Sequence, residues 1–341
     1  VTNGVAAKRK SRRRPSKRER RNRQRLGFVL LTLIAALVWA WLGQDLRELS
    51  GISGTGPPRR GDAVRVVSWN LANFSGSSSG HDLERMREVI EELDPDVIAV
   101  QEIKDPEALA ALLPDWELRL SSKGGRGRQL LGLAWRPDRV ELLDSAEHPE
   151  LSISGRVRPA LSAYLRARDG GPDFWIVVVH LKAMPDSLPV RREQWPVLAE
   201  IAQGCLTRSP GAGDRDLILM GDFNSTGSPG QGSRGPALEQ GELAELLGPL
   251  SVRRLSSATG CSAYYDGQRR DAWKEPSEID LVWVRGLEES LDANTEVHSG
   301  THCAASRCAD FRSTDAYPVR DYESVSDHCP VVLDLRRADD D

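Results

Sequence analysis

The chain has 341 residues, 39% hydrophobic and 28% charged, with a formal net charge of −4. That balance excludes a wholly disordered chain, and the length allows one large domain or two modest ones. The small net charge averages two unlike parts: residues 8–25 hold twelve Lys or Arg and one Glu, and the rest carries 34 basic and 49 acidic residues, a net of −15. So acidic a main part does not attract a polyanion over long range, and any contact with one has to be local.

The basic run KRKSRRRPSKRERRNRQR passes directly into LGFVLLTLIAALVWAWLG, and residues 26–43 contain no charge. Eighteen residues rise about 27 Å as a helix, enough to cross a thin bilayer core. With the positive flank on the N-terminal side, residues 1–25 are expected as a cytoplasmic tail and 26–43 as a single transmembrane helix. The rest is then extracytoplasmic, an arrangement that suits a bacterial envelope protein. Trp39 and Trp41 sit where aromatic rings suit the interface. A cleaved signal peptide is the competing reading, against which stand the long basic region and the missing small-x-small cleavage pattern; a buried or peripheral helix is a third. The basic run also suits contact with anionic lipid. Residues 44–60, with GISGTGPPRR, read as a linker, 61–336 as the folded domain and 337–341 as an acidic tail.

Within the domain, AVRVVSWNL predicts a strand entering a loop. Residues 81–93 carry Leu83, Met86, Val89, Ile90 and Leu93 at helical spacing. DVIAVQEI, LLGLAWRP, FWIVVVHLK, DLILMGDFN, IDLVWV and CPVVLDL are short apolar runs of the buried-strand kind. A second helix is expected over 188–206, presenting Trp195, Leu198, Ile201, Ala202 and Cys205. Residues 225–235 read as loop, as does much of 299–326, which is long for a structureless connection: a lid, a disulfide-held loop and disorder are all open there. Strands with two or more helices between them and no second linker argue for one α/β or α+β domain, and a two-sheet sandwich with outer helices would bury this many apolar strands.

Of the five cysteines, Cys205 ends an apolar helical pattern and reads as a buried thiol. Cys261, Cys303, Cys308 and Cys329 lie close together in sequence. In an exported domain those four can pair in three connectivities; zinc is the rival reading, although no close CxxC pair is present.

Polar residues recur at the strand edges. Asn70 follows VRVVSW, Gln101 and Glu102 follow DVIAV, and His180 follows FWIVVV. Asp222 and Asn224 follow LILMG, Asp280 opens LVWV, and Asp327 and His328 precede CPVV. Each alone is explained by a turn, a cap or a satisfied histidine. Together, as carboxylates and amides without a Cys/His cluster, they suit a hard cation such as Mg²⁺ and a phosphate group. His328 suits a general base with an acidic partner; neighbours on a strand point opposite ways, so the adjacent Asp327 need not be that partner and Asp280 is the other candidate. His180 suits a phosphate oxygen or a leaving group, and Asn70 and Asn224 suit phosphate oxygens or metal waters.

The ordered set WN (Trp69, Asn70), QE (Gln101, Glu102), HLK (His180 to Lys182), GDFN (Gly221 to Asn224), EIDLV (Glu278 to Val282) and SDH (Ser326 to His328) resembles the endonuclease/exonuclease/phosphatase superfamily. That superfamily includes secreted deoxyribonucleases, abasic-site endonucleases, inositol polyphosphate phosphatases and bacterial sphingomyelinases. The resemblance implies a four-layer α/β sandwich of two packed sheets flanked by helices, with a metal site at one edge. It implies Glu102 as the principal metal carboxylate, Asn70 as a metal-shell or phosphate contact and Asp327 as a further metal-shell group. Asp222 and Asn224 are implied at the nucleophile and scissile phosphate, His328 with Asp280 as a histidine–acid pair, and His180 as the strand-end histidine of the secreted deoxyribonucleases. Arg158 and Lys182 correspond more loosely to substrate-binding cations. One position departs: abasic-site enzymes have an aspartate two residues after the first asparagine, where this chain has Ala72.

The expected activity is therefore metal-dependent phosphoester hydrolysis, with Mg²⁺ as cofactor and Mn²⁺ or Ca²⁺ as alternatives. The expected substrate is extracytoplasmic nucleic acid, guided by local patches such as residues 123–128 (KGGRGR) and Arg269-Arg270. The alternatives are a phospholipid or sphingomyelin phosphodiesterase, for which Tyr264, Tyr265 and Trp273 are candidate membrane contacts, a phosphomonoesterase, and a tethered binding module without activity. No protein partner is legible.

Overall fold

The central strands of this chain bury both faces, which is why its sequence shows continuous apolar runs where a half-exposed strand would alternate. The computed structural model describes Gly56, Pro57, Arg59, Gly61 and residues 63–337 apart from 209–214, 267–270 and 315–319. The expected tail at 1–25, the membrane helix at 26–43, most of the linker and the Arg269-Arg270 pair lie outside the described residues. Among the described residues no helix is long and apolar enough to cross a membrane.

In chain order the elements are β1 (Ala63–Phe74), α1 (Leu83–Leu93), β2 (Val97–Ile103), α2 (Pro106–Leu112), β3 (Glu117–Leu120), β4 (Leu130–Trp135), β5 (Val140–His148), β6 (Ala160–Ala167), β7 (Asp173–His180), α3 (Leu188–Arg208), β8 (Leu217–Asp222), α4 (Gly235–Leu247), β9 (Arg253–Arg254), β10 (Ser256–Ser257), β11 (Ala263–Tyr265), β12 (Trp273–Ser277), β13 (Asp280–Arg285), β14 (Glu296–Ser299), α5 (Thr301–Ser306), β15 (Phe311–Arg312), α6 (Arg320–Ser324) and β16 (Val331–Arg336). One sheet runs β10-β14-β16-β1-β2-β4-β3 and a second β5-β6-β7-β8-β13-β9, with a small third sheet β11-β12-β15.

Side-chain alternation then sets the layers. On β1, Val64 and Val66 enter a core shared with Ile176, Val178, Ile218 and Met220 of the second sheet. Val67, Trp69 and Leu71 point the other way, onto Met86 and Val89 of α1 and Leu109 of α2. On β7, Trp175, Val177 and Val179 likewise turn outward onto Trp195, Leu198 and Ile201 of α3 and Leu243 of α4. The order is helices, sheet, sheet, helices. The helix over Leu83–Leu93 begins where Asp82 accepts from the Arg85 N–H at 3.0 Å and ends at Asp94, which takes the left-handed conformation ahead of Pro95.

Two readings left open by the sequence are decided here. The four clustered cysteines form the disulfides Cys261–Cys308 and Cys303–Cys329, so they present no thiolates and the zinc alternative falls. The 299–326 stretch contains α5, β15 and α6, tied to the body by those bonds. Cys205 is a buried free thiol, as expected. Tyr264 is buried against Phe311, whereas Tyr265 and Trp273 are exposed.

One buried ion pair links two loops. Arg191 on α3 meets Glu239 on α4 at 2.5 and 2.9 Å, and both are buried. The same guanidinium donates to the carbonyls of Lys182, Met184 and Gly227, while Glu239 accepts from the Gly227 N–H at 2.8 Å. The segments that follow β7 and β8 are thereby clamped together. Arg191→Met leaves a buried, unpaired carboxylate and is expected to cost about 3–5 kcal/mol, with Arg191→Met/Glu239→Leu recovering most of it. Denaturant midpoints check this; a single-variant loss below about 1 kcal/mol would show that the pair does not hold the loops.

Candidate active site

The strand ends that carry the polar residues meet at one rim. In the second sheet β7 runs parallel to β8 with His180 opposite Asp222, and β13 runs antiparallel to β8 with Asp280 opposite Asp222. In the first sheet Asn70 lies opposite Gln101. The two sheets touch through a hydrogen bond from Asn70 Nδ2 to Asp222 Oδ2 at 3.1 Å.

Local backbone features aim these groups. Gly221 has φ +133, and a Cβ there would lie 2.1 Å from the Val179 carbonyl oxygen, so only glycine lets β8 approach β7 this closely before Asp222. Phe223 returns to the core, and Asn224 takes φ +50, a left-handed conformation that asparagine tolerates. Its N–H donates to Asp222 Oδ1 at 2.9 Å. Glu102 also has positive φ, +63, at a break in the register of β2 with both of its neighbours. The bulge turns its carboxylate to the rim, where the Asn73 N–H holds Oε2 at 2.9 Å.

Asp222 is the hub. Besides Asn70 and Asn224, it meets His180 Nε2 at 3.3 Å, and His328 Nε2 stands 4.0 Å from it. Burial pushes its carboxyl up to about 7; His328 and Arg158 oppose the rise, while Asp280 and Glu102 add to it. His180 lies between Asp222 and Glu102 Oε1, the latter at 3.7 Å, with its Nδ1 buried and unpartnered. Burial, then Arg158, His328 and Lys182, hold its imidazole well below the ordinary value, which favours the neutral ring.

His328 Nδ1 meets Asp280 Oδ2 at 2.8 Å, which assigns Asp280 and not Asp327 as its acidic partner. Burial alone would lower this imidazole, but Asp280, Asp327 and Asp222 outweigh it and hold it well above the ordinary value. The ligating atoms of Asp222, Asp280 and His328 all lie within 4.8 Å of one another. Within this trio Asp280 Oδ2 is engaged by the His328 imidazole, whereas its Oδ1 meets no donor. Arg158 is buried beside the cluster, with Nη2 3.4 Å from the Leu181 carbonyl and Nε unpartnered. Asn224 Nδ2 lies 3.3 Å from the same carbonyl.

Two expected residues stand at the margin. Lys182 turns its ammonium to the Ala183 carbonyl at 3.1 Å. Asp327 lines a smaller cavity of about 200 Å³ with Ala72, His81 and Tyr322. Among the described residues Glu102 Oε1 meets no donor closer than His180 Nε2 at 3.7 Å, so Glu102 offers a carboxylate oxygen of the kind a hard divalent cation takes. The Asn70 amide is partly engaged, donating to Asp222 and accepting the Ala72 N–H at 3.0 Å. Sequence reading missed Asn73 and Ser326, whose Oγ donates to the Asn70 carbonyl at 2.7 Å and accepts from the His328 N–H at 3.0 Å. The S in SDH was the available signal for Ser326; Asn73 had none.

Two sheets sandwiched between helices, with an Asn, Glu, Asp and His cluster at one rim, define a phosphoester hydrolase of α/β type. The chain belongs to the Endonuclease/Exonuclease/phosphatase family, which it matches over residues 67–328. No curated protein sequence matches it. Its fold is similar to the catalytic domain of human Nocturnin (TM-score 0.52, 19% identity, 82% of this chain and 96% of that one). It is also similar to a mannosyl-6-phosphatase from Bacteroides thetaiotaomicron (0.54, 18%, 80% and 99%) and to D. rerio TDP2 complexed with a single-strand DNA product (0.53, 15%, 80% and 98%). At these identities the likeness is one of fold. Enzymes of this family typically use divalent metal ions.

A second group, His302 with Cys303 and Cys329, also has metal-like proximity, but its two sulfurs are in a disulfide. His302 is instead a buried neutral ring. Burial lowers it to about 4 from its ordinary 6.5, only partly countered by Asp321 and Asp327. The unfolded chain therefore binds this proton first. The contribution of the neutral ring is full above pH 6.5 and is lost as pH falls to about 4, by about 3 kcal/mol. His302→Gln is expected to flatten that part of the stability–pH curve, read from denaturant midpoints; an unchanged slope would refute the assignment.

Proposed function

We propose that this chain is a metal-dependent phosphodiesterase that cleaves nucleic-acid backbones by activated water, held outside the cytoplasm by residues 26–43. The observation that carries the reaction is the Asp222 hub, which draws donors from both sheets onto one buried carboxylate. Asp222, raised to about 7, is the base suited to take a proton from water near neutrality, with its Oδ1 fixed by the Asn224 N–H. Arg158, His180 and Asn224 stabilise charge on the phosphate oxygens; the orphaned Arg158 Nε is the donor such an oxygen would satisfy. His328, held charged by Asp280, stabilises the departing oxygen or supplies its proton. Glu102, Asn70 and Asp327 are the ligands for a divalent cation, Mg²⁺ first with Mn²⁺ or Ca²⁺ as alternatives, whose chemistry is to withdraw charge from a phosphoryl oxygen.

A basic cleft beside the site supports a long polyanion as substrate. It has a volume of about 740 Å³ and is lined by Lys104, Lys123 and Arg128, with Glu147 the acidic residue in its wall. Ser122 engages that carboxylate through N–H and Oγ. Lys104 lies two residues past Glu102, and Val157 and Pro159 of the lining flank Arg158. Gly125 lies so close to Val157 that a Cβ would come within 2.7 Å of its carbonyl oxygen, which packs the 123–128 loop against the site. This local charge offsets the acidic surface where a backbone would lie. Two disulfides support an oxidising compartment. Exposed Tyr265 and Trp273 favour a lipid phosphodiesterase as the second reading.

The test is a substrate panel of plasmid DNA, single-stranded RNA, sphingomyelin, phosphatidylinositol phosphates, an inositol phosphate and a small aryl phosphodiester. The full chain is assayed with Mg²⁺, Mn²⁺, Ca²⁺ or EDTA. Polynucleotide cleavage lost in EDTA, and reduced at least about a hundredfold in Glu102→Ala and His328→Ala, is expected. Lys123→Ala/Arg128→Ala is expected to raise KM for DNA and flatten its salt dependence while leaving the aryl diester unaffected. Turnover of lipid alone would overturn the nuclease reading, and turnover of nothing would leave a binding module.

A further inference from the structure

Asp280 is held through a single oxygen. Its Oδ1 is buried and meets no donor, whereas Oδ2 receives His328 Nδ1–H and the hydroxyl of Ser262, each at 2.8 Å. A hydroxyl has one proton and two acceptor positions. Ser262 Oγ accepts the Ile279 N–H at 3.1 Å and the Asp280 N–H at 2.8 Å, so both acceptor positions are used and its proton has one direction left, toward Asp280. The hydroxyl thus reads the backbone of β13 and fixes the carboxylate that β13 carries.

Ser262 is itself immobilised from four sides. Its N–H donates to the Ser277 carbonyl at 2.8 Å, and its own carbonyl accepts the Cys329 N–H at 2.7 Å. The preceding residue is bonded to Cys308, and Cys329, which follows His328, is bonded to Cys303. The same short segment therefore sets the carboxylate through its side chain and the backbone beside the imidazole through its carbonyl. Ser262 is buried and outside every motif described above.

We infer that Ser262 is a positioning residue of the reaction: it aligns Asp280, and through Asp280 the His328 ring, toward the scissile group. This rests on the phosphoesterase reading for its catalytic consequence but not for its geometry. Without the hydroxyl the carboxylate loses the donor that selects its rotamer, and the imidazole is no longer held at one angle. The cost falls on turnover and not on substrate binding, because Ser262 lies behind Asp280 and away from the substrate side.

The test has two readouts on the full chain with both disulfides formed. In ¹⁵N-histidine-labelled protein the Nδ1 proton of His328, assigned by its loss in His328→Gln, is expected as a low-field resonance in the wild type and in Ser262→Thr. It is expected to shift or broaden away in Ser262→Ala and Ser262→Val. Thr and Val differ in shape by little more than the hydroxyl, so their comparison stands even if the Ala variant is unstable. On a small aryl phosphodiester, Ser262→Ala is expected to lower kcat about tenfold at unchanged KM, Ser262→Thr to restore it, and Asp280→Asn to abolish the effect of Ser262→Ala. A low-field proton unchanged in Ser262→Val, or an equal kcat loss in the Asp280→Asn background, would overturn the inference. A wild type that hydrolyses nothing would defeat the phosphoesterase reading and leave the resonance to decide the geometry of Ser262.

Discussion

A carboxylate removed from water has to find donors or give up its charge, and Asp222 sits under that constraint at the junction of two sheets. No single strand supplies enough donors. Asn70 comes from the first sheet, His180 from the neighbouring strand of the second, and the Asn224 N–H from the turn beyond. The two sheets therefore have to pack with their strand ends in register. The apolar core between them, from Val64 and Val66 to Ile176 and Met220, drives association without direction, and the polar rim fixes the alignment.

The rim also concentrates like charge. Glu102, Asp222 and Asp280 converge where the chain provides Arg158 and His328 as cations, and burial weakens the stabilising effect of water on all of them. This explains why the two histidines diverge: His180, beside Arg158, is kept neutral, while His328, against Asp280, is kept charged. Two imidazoles in opposite states around one carboxylate allow proton removal and charge stabilisation in the same small volume. Surrounding elements keep the geometry: the Arg191–Glu239 pair clamps the loops behind His180 and Asp222, and the two disulfides brace Ser262 and His328.

Much of this was legible in sequence because β-branched runs ending in Asn, Glu, His or Asp mark both the buried strands and the rim they share. Strands β1, β2, β4, β7, β8, β13 and β16 were readable as short runs of β-branched or large apolar residues, and helices α1 and α3 from apolar residues at helical spacing. Strands β3 and β5 were not, since their burial is patchy, as Glu117–Leu120 illustrates by alternating exposed and half-buried residues. Helix α4 was missed because its buried positions, Glu239 among them, do not form an apolar stripe. Within the site, motif residues with their own chemistry could be named; the residues alone left Asp280 and Asp327 both open as the partner of His328, and the family resemblance pointed to Asp280. Ser262 and Asn73 could not be named, because a single serine or asparagine means nothing until the fold brings a partner 18 or 29 positions away.

Binding of Mn²⁺ by the full chain, followed by electron paramagnetic resonance, probes the rim most directly, since it reads the oxygen cluster without assuming a substrate. One class of site is expected, displaced by Mg²⁺ and abolished by Glu102→Gln, with fold and disulfides retained. Mn²⁺ binding unaffected by Glu102→Gln, or no binding by folded wild type, would contradict a metal-dependent site at this rim.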